Sequence, residues 1–401
     1  MSPAGWRAGP ADDRMGAELA DRYSRHRAIA GFSQARLQGM QVAVFGAGAI
    51  GNEVVKNLCL LGIGSIDLYD FDSVELHNLT RSILLRESDV GQPKAAAVAA
   101  RAAEIDRNVT LRAVPGDLHD TLGPATAAGY DVAIGALDNF EARLRVNRLC
   151  RLVGRPWVNA AIDSRHASVE TFAFDGRAEV ACYECGLPDS VYARLAERQS
   201  CGGLARAARA ERIVPTTAIT ASLAAARAVQ QALTLPKMAS RRWLIDSESG
   251  LASDALIAPR LDCPGCSEAP ATVVERLNQS GSVSRGADLA HEARLRAGGL
   301  AASTLVELAE PIVRAAACSR CGATTATRAI IGKPARRVAE SAVFCFGCGG
   351  ETVRIELADF LGIEELERGL AEFEIPIAFA RIGNDLLDLT PAMTGMEIRH
   401  G

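Results

Sequence analysis

Eight of the eleven cysteines in this chain stand in four Cys-x-x-Cys pairs: Cys182/Cys185, Cys263/Cys266, Cys318/Cys321 and Cys345/Cys348. A tight turn between two such thiolates points both sulfurs at one metal, which is what tetrahedral zinc requires. Taken as two four-cysteine sets, they force distant parts of the chain together. Residues 186–262 separate the pairs of the first set, and residues 322–344 separate those of the second. Two structural Zn2+ sites are therefore expected, each closed by four thiolates and without the open position that catalytic zinc keeps. A disulfide framework is the competing use of cysteine, but it belongs to small secreted chains. The N-terminal stretch MSPAGWRAGPADDR has no apolar core of the kind a signal peptide needs. Residues 1–15 read as a disordered lead-in, and the cysteine usage points to a reducing cytoplasm. No run of 18 apolar residues predicts a membrane span. Lys and Arg number 44 against 48 Asp and Glu. That balance gives no basic surplus of the kind that binds nucleic acid broadly.

The hydrophobic pattern alternates between two periods. QVAVF (41–45) predicts a short buried strand, GAGAIGNEVVKNLCLLG (46–62) a glycine-rich turn running into a helix, and SIDLYD (65–70) a second strand. A helix over 92–106, strands at VTLRAV and DVAIGA, and a helix at NFEARLRVNRLCRLV continue the alternation. This is the signature of a Rossmann-like α/β fold with a mostly parallel sheet covered on both faces. From about residue 156 the strands PWVNAAI, SVETFAF, RWLIDS and DALIAPR predict an antiparallel extension, with an Ala-rich helix over 216–233 among them. The domain that results spans 16–270. Residues 271–300 read as a linker, helical at first and then polar. Residues 301–401 read as a smaller α+β module built on a zinc ribbon, with strand-like TTATRAII and SAVF between its knuckles and helix, then strand, over 356–390.

Gly46, Gly48 and Gly51 match the turn that lets a backbone approach phosphate at a helix N-terminus. Asp70 follows Gly51 by 19 residues, at the end of the next strand, where an acid can take a ribose hydroxyl. Alone, this pattern fits an NAD dehydrogenase equally well. The neighbouring residues do not. Asp72, Asn78, Arg81, Lys94 in GQPK and Asp138 in ALDN gather cations and carboxylates around one phosphate turn. Phosphoryl or nucleotidyl transfer uses such a set, with the cations stabilising developing phosphate charge and a carboxylate such as Asp138 holding Mg2+. Hydride transfer needs none of it. The chain has four lysines against forty arginines, so Lys94 stands out as a base chosen for its compact ammonium.

The stretches RYSRH (22–26), GAGAIG (46–51), LYDFDSVELHNLTRS (68–82), GQPKA (91–95), ALDNFEARLRVN (136–147), CYEC (182–185) and CPGC (263–266) together resemble the ThiF/MoeB superfamily, bacterial relatives of ubiquitin-activating enzymes. The resemblance covers about residues 16–267. It implies ATP-dependent adenylation of the C-terminal glycine carboxylate of a small ubiquitin-like or sulfur-carrier protein. It gives Asp70 the ribose, Arg81 and Lys94 the ATP phosphates with Asn78 beside them, and Asp138 the magnesium. Arg25 resembles an arginine that reaches the ATP of the other subunit in a homodimer, although His26 stands where the family usually has Gln. Cys182, Cys185, Cys263 and Cys266 resemble its structural zinc site. Cys201, among Arg198, Arg206, Arg209 and Arg212, resembles a crossover-loop cysteine that takes the acyl group as a thioester. Cys59 and Cys150 sit in apolar helices and read as core thiols. A conjugating enzyme or sulfur donor is the implied next partner, and the C-terminal module a possible recruitment element. Adenylation of a peptide or another biosynthetic substrate, or a non-catalytic scaffold, are the competing readings.

Overall fold

A computed structural model describes residues 22–175, 180–188, 190–191, 215–234, 239–268, 270–271, 273–276, 285–297, 304–324, 328–338, 344–350, 353–390 and 396–398. The lead-in over 1–15 and Cys201 lie outside these residues. Apolar runs buried on both faces make parallel strands, and the first half of the chain supplies five of them. They are β1 (Gln41–Phe45), β2 (Ser65–Asp70), β3 (Thr110–Pro115), β4 (Val132–Gly135) and β5 (Trp157–Ile162). Then β6 (His166–Phe172), β7 (Arg241–Asp246) and β8 (Ala252–Leu256) extend the sheet antiparallel. The order is β3-β2-β1-β4-β5-β6-β7-β8, so the strand order reverses between β1 and β4. Open α/β sheets bind ligands outside the carboxyl ends of the strands at such a reversal.

Helices cover both faces. In the N-terminal half, α1 (Ser24–Arg27) and α2 (Gln34–Gly39) lead in. They are followed by α3 (Ala49–Leu61), α4 (Lys94–Ala103), α5 (Leu118–Thr121), α6 (Pro124–Ala128) and α7 (Phe140–Leu152). The Ala-rich α8 (Ala218–Thr234) shares one core with α3 and α4, in which Val54, Leu58, Ala99, Ala225 and Val229 are buried. The buried side of α7 belongs to a second core, with Trp157 and Phe172. Cys59 and Cys150 are core thiols, as expected, and burial pushes each up to about 12. No helix among the described residues is long and apolar enough to cross a membrane.

The second core continues into a smaller sheet, ordered β11-β10-β12-β13-β9, from β9 (Val273–Arg276), β10 (Leu305–Cys318), β11 (Val353–Gly362), β12 (Phe379–Ile382) and β13 (Asp385–Asp388). Helix α9 (Gly286–Ala297) packs on the short helix Ile363–Arg368 beside it. Three expectations are corrected here. Residues 273–276 form a strand, not the start of a helix, because the β-branched Val273 and Val274 find a partner in β13. Residues 356–362 likewise form strand, since β11 pairs with β10 along nearly its whole length. In TTATRAII the described Arg328–Ile330 make a 3₁₀ turn instead of a strand, whereas residues 341–343 of SAVF lie outside the described residues. A further strand, β14 (Met396–Ile398), leaves the smaller sheet and pairs antiparallel with the edge strand β3 of the large one.

The two units are bolted together by groups buried between them. Asp388 is fully buried and accepts from the Ala125 and Thr390 amides at 2.9 Å each. The Arg145 guanidinium lies 4.5 Å from the centre of the Phe379 ring, and Arg148 donates to Glu268 and to the Ala309 carbonyl.

Candidate functional site

The chain turns as soon as β1 ends. Gly46 has φ of +98°, and a Cβ there would lie 2.4 Å from the Ala136 carbonyl oxygen. A Cβ on Gly51 would lie 1.9 Å from the Gly46 carbonyl oxygen. These two glycines let the turn pack against itself and against the end of β4. Gly48 differs: a Cβ there would meet nothing within 4 Å. It is the N-cap of α3 and makes no side-chain cap. The first N–H groups of a helix have no partner within it, so this open turn presents them, with the positive end of the helix dipole, to an anion. Gly51→Ala is expected to lose about 1–3 kcal/mol of stability from overpacking, read by chemical denaturation. Gly48→Ala is expected to leave stability nearly unchanged while weakening nucleotide binding.

Asp70 closes the turn from β2. One carboxylate oxygen accepts from the Ala47 amide at 2.6 Å, the other from the Asp72 amide at 2.8 Å. Burial pushes its carboxyl above the ordinary range, opposed by the Ala47 amide and the nearby Lys94 ammonium. Each carboxylate oxygen keeps further acceptor capacity for a ribose hydroxyl. Lys94 begins α4 and is buried, with its ammonium 2.9 Å from an Asp72 carboxylate oxygen and its amide 2.8 Å from the Asp72 carbonyl. Asp70, Asp72 and Lys94 are thus brought together beside the turn.

Asn78 is buried in the 3₁₀ segment Leu76–Thr80, where its Oδ1 accepts from the Glu75 amide at 2.9 Å. Arg81 follows it and donates to the His77 carbonyl at 3.0 Å. The link between this segment and the turn is Asn52, which the sequence reading did not single out. Asn52 is fully buried, donates to the carbonyls of Ala47 (2.7 Å) and Gly48 (3.1 Å), and accepts from the Leu84 amide (2.9 Å). The available signal was an amide directly after the third glycine, on a helix face otherwise apolar. Asp138 is exposed in the connection from β4 to α7, where Asn139 donates to it at 3.3 Å. That connection starts at Ala136, against Gly46 and Gly51, so Asp138 lies at the same edge of the sheet as the turn.

Arg25 is not part of this set within one chain. Tyr23, which precedes α1, packs on Gly62 at the far end of α3 and bonds Asp106. The thirteen residues of α3 put that end roughly 20 Å from the glycine turn.

The four-cysteine groups are assembled as their spacing predicts. Within each, all four sulfurs lie within 4.8 Å of one another. Cys182 Sγ is 3.6 Å from Cys263 Sγ and Cys185 Sγ 3.5 Å from Cys266 Sγ; in the second group Cys318–Cys348 and Cys321–Cys345 are each 3.6 Å. Tetrahedral zinc with bonds of about 2.3 Å sets its sulfurs about 3.8 Å apart, so both sets fit the ion. Asn147 on α7 steadies the first knuckle, donating to Glu184 and accepting from the Tyr183 amide. Cys318 ends β10 and Cys345–Cys348 precede β11, so the second group joins one end of an antiparallel pair.

A ThiF family profile matches residues 23–265, more than half of the chain. The SAMP-activating enzyme E1 of Haloferax volcanii is 34% identical over 179 residues, covering 44% of this chain and 65% of that protein. Adenylyltransferase and sulfurtransferase MOCS3-1 of Zea mays is 30% identical over 200 residues, 48% of this chain and 41% of that one. The chain therefore spans less than two thirds of the length of either relative. The sulfur carrier protein adenylyltransferase of Thermus thermophilus is 29% identical over 268 residues, 63% of this chain and 93% of that protein. Among solved structures, E. coli MccB with ATP matches 63% of this chain and 75% of its own with a TM-score of 0.51 at 21% identity, a likeness of fold. The profile match, over the glycine turn, the acids and lysine beside it and three of the four cysteines of the first group, makes this chain a member of the ThiF family.

Proposed function

We propose that this chain adenylates the C-terminal glycine carboxylate of a small ubiquitin-like or sulfur-carrier protein. The observation that carries the reading is the gathering of Asp70, Asp72 and Lys94 beside an open helix N-terminus at the strand-order reversal. The similarity to a SAMP-activating enzyme and to a sulfur carrier protein adenylyltransferase supports the substrate class. In the reaction a carboxylate oxygen attacks the α-phosphorus of ATP, the α–β bridging P–O bond breaks, and pyrophosphate leaves. No protein nucleophile is needed. The chain's part is to position the reactants and neutralise charge.

Backbone N–H groups at the start of α3 receive phosphate oxygens, and Asp70 takes the ribose. Lys94 exchanges Asp72 for phosphate, and Arg81 with Asn78 serves the same phosphates from the segment that Asn52 ties to the turn. Asp138, exposed at the end of β4, and Asp72 are the carboxylates that would hold Mg2+, which supplies further neutralisation of phosphate charge. Arg25 is too far from its own turn to act there, so its role falls to the nucleotide of a second copy in a homodimer. Acyl transfer to the Cys201 thiolate, with AMP leaving, is the next step in this reading. In the cytoplasm the thiol of a conjugating enzyme, or the persulfide of a sulfur donor, then attacks the thioester carbonyl, and the acyl–sulfur bond to Cys201 breaks with the Cys201 thiolate leaving.

ATP–pyrophosphate exchange tests the proposal. Exchange that depends on both Mg2+ and a Gly-ended ubiquitin-like partner is expected. Exchange with a short free peptide but with no such protein would replace the substrate class. A reductant-sensitive conjugate that still forms on Cys201→Ala protein would remove the thioester role of Cys201.

A further inference from the structure

We propose that Arg336, carried by the C-terminal module, is a positioning residue for the nucleotide site. The inference rests on the reading of that site given above. It starts at Asp70. The strand beside β2 is β3, and its last residue, Pro115, lies opposite Asp70. The next amide, Gly116, donates to the Asp70 carbonyl at 3.2 Å, and Gly116 has φ of +129°. One residue later, Asp117 caps α5, accepting the His119 amide and the His119 ring nitrogen at 2.9 Å each. The loop at Gly116–Asp117, running straight into α5, is therefore continuous with the acid proposed to hold the ribose, on the side away from the phosphate turn.

Arg336 seizes this loop. Its guanidinium pairs with Asp117 at 3.3 Å, with Asp120, and with Glu310 of β10 at 2.7 Å, and Arg337 adds a second contact to Asp120 at 2.6 Å. The Arg336 side chain is 25% exposed. A three-acid network on a largely covered guanidinium holds its geometry better than an isolated surface pair, which contributes little. Burial pushes the Asp117 carboxyl up, and the His119 and Arg336 contacts outweigh it, holding the group well below the usual carboxylate range.

The other end of the clamp is the second cysteine group. Arg336 lies in the segment between Cys321 and Cys345. That segment is laid along β10: the Val313 amide donates to the Lys333 carbonyl at 2.9 Å, and the Gly332 amide to the Val313 carbonyl at 2.8 Å. The same β10 runs on into Cys318. The ribbon thus closes the loop that carries Arg336, and Arg336 holds the loop beside Asp70. On this view the module is a brace for the adenosine side of the site.

The test is ATP affinity of the full-length, zinc-loaded protein, measured by titration calorimetry alongside steady-state exchange kinetics. Arg336→Gln is expected to raise the ATP Kd and the KM for ATP about tenfold, with kcat and the KM for the protein partner within twofold. Arg336→Lys should recover part of the loss. Arg294→Gln, which removes a module ion pair to Glu367 (2.7 Å) that shares no acid with Arg336, should leave ATP affinity unchanged. An Arg336→Gln protein that binds ATP within twofold of wild type overturns the inference, and so does an equal loss in Arg294→Gln. Should Arg336→Gln fail to fold, Asp117→Asn, which keeps the side-chain shape, decides by the same criteria. Wild-type protein that binds no ATP overturns the reading of the site itself, and the inference with it.

Discussion

Replacing Cys263 with serine is expected to unfold the large domain at temperatures where the wild type is intact. Cys263 and Cys182 are both buried, and they meet across residues 183–262. The knuckles bridge the start of the antiparallel extension and the segment that leaves β8. Structural zinc contributes about 10–16 kcal/mol of apparent binding free energy in small domains, whereas whole domains are stable by about 5–15 kcal/mol. Losing one of four thiolates therefore removes a term as large as the net stability. Zinc content measured by plasma emission should fall from two per chain to one, and the thermal midpoint should fall by more than about 10 °C. Cys348→Ser should also cost one zinc but leave most of the large domain's transition in place. Among the described residues its cluster is backed by a small buried core of Val313, Ala316 and Val353 with Cys318 and Cys345. If Cys263→Ser keeps both zinc ions and its melting temperature, the first group is not a metal site.

Lys94→Ala is expected to lower the rate of ATP–pyrophosphate exchange by about 10²–10³-fold, the effect of removing one preorganised charge-stabilising donor. The fold should survive, because the Asp72 carboxylate left behind is about half exposed and can be hydrated. Lys94→Arg should rescue little. The Lys94 side chain is only 10% exposed, and a planar guanidinium does not replace a compact ammonium equivalently there. Asp138→Asn should show a comparable loss together with a changed Mg2+ dependence. Exchange by Lys94→Ala within threefold of wild type would remove Lys94 from the machinery.

Much of the site could be read from the chain, because its parts are local. Gly46 and Gly51 fall in one six-residue turn, where Gly46 takes φ of +98° and Gly51 packs on the Gly46 carbonyl, and Asp70 sits where β2 must end if β1 and β2 are parallel neighbours. The Cys-x-x-Cys spacing sets each half of a tetrahedron without reference to the rest of the fold. Asn52 escaped because its three bonds are made to the turn behind it and to Leu84, a partner 32 residues away that no periodicity indicates. Lys94 was legible as a chosen lysine, while its storage against Asp72 was not, since a motif carries no distances.

The sequence by itself determined the parallel α/β core, the phosphate turn and the halves of both cysteine groups. Each of these follows from hydrophobic period, glycine stereochemistry or ligand spacing within a few residues. Tertiary structure decided what depends on long-range pairing. Residues 273–276 and 356–362 became strands because β13 and β10 offered unpaired backbone groups, and hydrogen-bonding a whole strand outweighs the weak local preference of a short segment. β14 returned to the edge of β3 for the same reason, since an open edge leaves a row of unpaired N–H and C=O groups. The contact of Arg336 with Asp117 and Asp120 spans more than 200 positions of the chain. Only packing of the two units on a common core, through Arg145, Phe379 and Asp388, brings those charges face to face.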